Sequence, residues 1–93
     1  MSFLLKDPGA ILDYSVDWGA GYLDGATIAT SHWAIEPIEP EGVVIIGSIG
    51  GATRTGATLG GGVAGHVYRV VNTVLLSTGR TDERGIALRV EDR

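Results

Sequence analysis

From Leu12 the chain alternates: Leu12, Tyr14, Val16 and Trp18 are apolar, while Asp13, Ser15 and Asp17 between them are polar. Successive side chains of a strand point to opposite faces, so this pattern predicts a strand with one buried and one wet face. Pro8 and Gly9 before it, and Gly19 and Gly21 after it, supply the turns. A second strand is expected over 27–35. Ile28 and Trp33 there are an odd number of positions apart, and a bulge near Thr30 or Ser31 would bring them to one face. The following segment, 35–41, carries Pro37 and Pro40, which lack ladder donors, and reads as a connector. An apolar strand is expected over 43–49 and a more polar one over 53–59. The last third predicts strands over 67–76 and 85–90, joined by a hairpin loop at 77–82; Ile86, Leu88 and Val90 alternate with Ala87, Arg89 and Glu91.

No segment keeps a helical period, and fifteen glycines among 93 residues, with many Val, Ile and Thr, disfavour helices. The expected fold is therefore all-β: an immunoglobulin-like sandwich of six or seven short antiparallel strands, with a small open barrel as the alternative. The length fits one domain. Residues 10–93 form the sandwich in this reading and residues 1–9 an N-terminal arm, in which Phe3, Leu4 and Leu5 either dock on a neighbouring molecule or fold back as an edge strand. A chain this short has a thin core, which favours assembly with other chains.

A formal charge of −4 repels a phosphate backbone, so direct nucleic-acid binding is not expected. The apolar runs are far too short to span a bilayer, no signal peptide is visible at the N-terminus, and synthesis in the cytoplasm is expected. The absence of cysteine removes disulfides, thiolate catalysis and cysteine-ligated zinc.

Little else points to chemistry. Gly60 to Gly65 match the spacing G-x-G-x-x-G, but a strand follows where nucleotide sites need a helix, so these glycines read as a flexible loop. Asp13 and Asp17 share a strand face at a separation of roughly 13 Å, too far for one metal or a retaining glycosidase pair. Asp24, Asp82 and Glu83 read as turn residues, without a calcium-loop motif. His32 and His66 could join Ser31 or Ser48 in a hydrolytic triad, yet no G-x-S-x-G elbow is present. No cofactor, metal or catalytic residue is expected. Tyr14, Trp18, Trp33 and Tyr22 are either a stacking platform for sugars or core, and core is favoured because Tyr14 and Trp18 share the buried face. Tyr22, in the glycine-rich turn, is left as a candidate contact residue. Tyr68, after Gly65 and His66, is a candidate for the corner tyrosine that such sandwiches place at the start of their penultimate strand.

Lys6-Asp7-Pro8, Leu12-Asp13-Tyr14, Asp17-Trp18, Thr27-Ile28, Ser31 and Trp33, followed by the glycines 61–65, Tyr68, Val70, Asn72 and residues 78–84, resemble the fiber-tail adaptors of bacteriophages and prophages. Residues 36–58 depart from that pattern, being richer in proline, glycine and glutamate, as does Gly9. The resemblance implies a structural virion protein at the tail or neck, repeated in a ring and holding fibers or other tail parts to portal, adaptor or tail channel proteins, with no catalysis. A capsid decoration or head-completion protein and a carbohydrate-binding adhesion domain are the alternatives.

Overall fold

A computed structural model describes residues 3–92; Met1 and Ser2, which open the expected arm, and Arg93 lie outside the described residues. Seven strands form two sheets: β1 (Phe3–Lys6), β2 (Leu12–Asp17), β3 (Ile28–Glu36), β4 (Val44–Gly50), β5 (Arg54–Gly60), β6 (Val67–Leu76) and β7 (Thr81–Val90), with one four-residue helix, α1 (Ala20–Leu23), between β2 and β3. The sheet orders are β1-β7-β6-β3 and β2-β5-β4. With β2 to β7 read as strands B to G, these become G-F-C and B-E-D, the immunoglobulin arrangement. β1 joins the G edge in parallel, with Phe3 opposite Ala87 and Lys6 opposite Val90; the other pairings are antiparallel.

The alternation read in β2 is reproduced, with Val16 buried and Asp13, Ser15 and Asp17 exposed. In β3 the register shifts between Ile28 and Thr30, which turns the buried Trp33 and half-buried Ile28 toward one core. β7 begins four residues earlier than the alternation 85–90 suggests, because Ser77 to Gly79 close a tighter hairpin: the Leu76 N–H donates to Arg80 O at 2.8 Å, and Gly79 takes a φ of +91°. Helix α1 fills what reads as a glycine-rich turn, and its Leu23 is buried. Between the sheets, Leu59, Val70, Leu88 and Val90 are fully buried, each contributing about 1.5–3 kcal/mol.

The glycine run is not a loose loop. Gly61 and Gly62, with φ of +73° and +116°, carry the chain from one sheet to the other through a crowded corner. A Cβ at Gly61 would meet the Gly42 carbonyl oxygen at 2.6 Å, and one at Gly62 would meet Val90 Cγ2 at 2.7 Å. Close packing there, not flexibility, is what requires glycine.

Candidate assembly surfaces

Phe3 and Leu5 alternate with Leu4 and Lys6 along β1, so the first two stand half-exposed on the outer face of the four-stranded sheet while Leu4 packs against the core. Lys6 is buried; its ammonium donates to Gly61 O at 2.6 Å and Asp7 O at 2.9 Å, tying β1 to the glycine corner. Burial pulls the Lys6 pKa below its ordinary value, an effect opposed by the nearby Asp7 carboxylate.

The aromatic residues divide between core and surface. Trp18 and Trp33 are buried, and Tyr14 meets Trp33 edge-on at 5.8 Å, so none of these three presents an open ring for stacking. The Trp18 N–H donates to both Thr55 Oγ1 and Asn72 Oδ1 at 3.3 Å, whereas the buried Trp33 N–H has no acceptor among the described residues. Tyr22 is 45% exposed. Its hydroxyl donates to Asp82, and the Arg84 guanidinium lies over both Trp18 and Tyr22, 4.3 and 5.4 Å from the ring centroids. The bond to Asp82 holds the Tyr22 pKa above its usual value and that of Asp82 below.

Tyr68 lies at the start of β6 with its ring buried; its hydroxyl accepts from the Val63 N–H at 3.1 Å and donates to Glu39. His66 Nδ1 lies 3.0 Å from the same Glu39 carboxylate. The His66 contact, followed by the Tyr68 hydroxyl, holds the Glu39 pKa down, while burial first and Glu39 second push the Tyr68 pKa up. Glu39 is the partner that sequence reading missed, hidden in the proline-rich connector.

The candidate triad is not assembled: His66 engages Glu39, and the Ser31 hydroxyl accepts from Asn72 at 2.8 Å. Among the described residues no group of three or more His, Asp or Glu is placed to hold a metal. Gly60 to Gly65 lead into β6, a strand, and offer no helix start to a phosphate.

Large apolar side chains are exposed instead. On the outside of the three-stranded sheet Ile11, Ile46 and Ile49 are 64, 57 and 78% exposed, and on the outside of the four-stranded sheet Val67 joins Phe3 and Leu5 at 56%. β4 is the only one of the seven strands without a charged residue, and it is also an edge strand. Uncharged, exposed apolar edges are features that proteins ordinarily blunt or cover.

None of the curated proteins compared with the chain matches it. The family model described as podophage GP4 fiber-tail adaptor protein gp77 matches residues 6–89, from the end of β1 almost to the end of β7. An all-β sandwich with exposed apolar side chains on both outer faces, matched over nearly its whole length, thus belongs to the podophage GP4 fiber-tail adaptor family, a family of phage tail structural proteins.

Proposed function

We infer that this chain is an adaptor of the virion that attaches tail fibers or other tail parts to the proteins of the neck and tail channel, acting through surface fit and without catalysis. The family match over residues 6–89 carries the reading. The exposed Ile11, Ile46 and Ile49 on one face and Phe3, Leu5 and Val67 on the other support it, since a component clamped between other proteins needs apolar area on more than one side. Several copies in a ring, assembled in the host cytoplasm before the particle is complete, agree with the thin core and the two-sided surface.

The test is location. Gold-labelled antibody against the chain, viewed on intact particles by electron microscopy, is expected at the neck or tail. Label over the capsid would instead make the chain a decoration protein, and absence from purified particles would overturn the virion reading.

A further inference from the structure

Of the chain's six aspartates only Asp24 is followed by glycine, and the single asparagine, Asn72, is followed by threonine. Asp24 and Gly25 turn the chain from α1 toward β3. Both are exposed and both take the left-handed conformation, at φ of +47° and +86°. Glycine adopts it freely, whereas the Cβ of Asp24 opposes it, so Asp24 is held there by its surroundings. Upstream, Leu23 is buried and its N–H donates to Gly19 O at 3.0 Å. Downstream, the Thr27 N–H donates to Ser77 Oγ at 3.0 Å and the Ile28 N–H to Ala52 O at 2.9 Å. Between these pins the Ala26 N–H donates to Leu23 O at 2.9 Å and closes the turn.

An aspartyl carboxyl can be attacked by the main-chain nitrogen of the next residue when that nitrogen is able to swing toward it, and a side chain on the next residue hinders the approach. Pro8, after Asp7, has no N–H to give up. Asp13 and Asp82 lie inside paired strands, and the Trp18 N–H after Asp17 is committed to Thr53 O at 3.0 Å. Asp92 precedes arginine. Gly25 has no side chain and belongs to no strand, and a Cβ built on it would find nothing within 4 Å, so this turn has room to rearrange.

We propose that Asp24 is a site of spontaneous main-chain isomerisation to isoaspartate. The Gly25 nitrogen bonds to the side-chain carboxyl carbon of Asp24; the amide proton and the carboxyl hydroxyl leave as water, and a succinimide ring results. Water then adds to either ring carbonyl and breaks its bond to nitrogen. Opening at the side-chain carbonyl returns aspartate, and opening at the main-chain carbonyl leaves the chain running through Cβ. The product keeps the mass and the carboxylate, removes the left-handed demand at this residue and lengthens the segment between its pins. The bond from Ala26 to Leu23 is then lost while Leu23 and Thr27 stay anchored, so the change is confined to the surface beside the exposed Tyr22. A tail structural protein is not replaced after assembly, so the product accumulates with age.

The test is incubation of the folded full chain at mildly acidic and neutral pH, with circular dichroism to establish that it stays folded. Peptide mapping with electron-transfer fragmentation, which distinguishes isoaspartate from aspartate, is expected to show isoaspartate rising at Asp24 and not at the other aspartates. In heavy-oxygen water Asp24 takes up solvent oxygen. Asp24→Glu keeps the charge but closes the corresponding ring far more slowly, and the signal at this position is lost. Isoaspartate that forms equally at every aspartate, that is absent from Asp24, or that forms there only in denaturant would overturn the site. Hydrogen exchange of the Ala26 amide is expected to be faster in the separated product; exchange unchanged from the native chain would overturn the opened turn.

Discussion

Asn72 is fully buried in the middle of β6 with both ends of its amide engaged: its carbonyl accepts from Thr55 at 2.6 Å and Trp18 at 3.3 Å, and its NH₂ donates to Ser31 Oγ at 2.8 Å and His32 O at 3.1 Å. Thr55 belongs to one sheet and Asn72 and Ser31 to the other, so a single side chain holds the layers in register. Asn72→Ala removes the acceptor of the buried Thr55 hydroxyl, leaves the Trp18 N–H with Thr55 alone and opens a hole in the core, an expected loss of about 3 kcal/mol. Thermal unfolding should show it as a midpoint lower by roughly 12 °C or more. At the glycine corner, two contributions can be separated. Gly61→Ala meets both a positive φ and the Gly42 carbonyl, whereas Gly65→Ala meets a φ of +88° but no atom within 4 Å. The second should cost about 1 kcal/mol and the first at least twice that, by denaturant unfolding. Sequence alone exposes the glycine run and the position of Tyr68. It does not reveal which glycines are crowded, because the crowding comes from Gly42 and Val90, remote in the chain.

Among the elements, the β3–β4 and β5–β6 connections are tied to each other. Glu39 from the first reaches His66 in the second and Tyr68 at the start of β6, and the Gly62 N–H donates to Glu41 O at 3.0 Å. The Glu39 pKa is depressed in the fold, so its contribution is present above the ordinary carboxylate range and is lost as pH falls through the lowered folded value. The unfolding midpoint should therefore fall on acidification, and Glu39→Gln should make that fall shallower while lowering the midpoint at neutral pH; an unchanged acid slope would count against the tie. The depressed Asp17 and Asp82 remain to give the variant some slope. The proline-rich stretch reads as a connector in the sequence, but its partner loop could not be read there. β4 shows the same limit: its apolar run gives a strand, yet local pattern cannot tell residues that face a core from residues that face another molecule.

For the molecule as a whole, period-two alternation and glycine spacing point to an all-β sandwich, since the buried faces of β2 and of the end of β7 are written in their own residues. The parallel placement of β1 was not written there, because Phe3-Leu4-Leu5 can cover any apolar margin and only the free edge of β7 decides which. That placement governs how the chain reaches its final form. Among the described strands the earliest in the chain, β1, pairs with the latest, β7, so as the nascent polypeptide emerges from the ribosome β1 has no sheet partner until β7 is out. The four-stranded sheet is complete only once β7 has emerged, through contacts of long sequence separation that form slowly. Until then Phe3, Leu4 and Leu5 are open to chaperones and proteases.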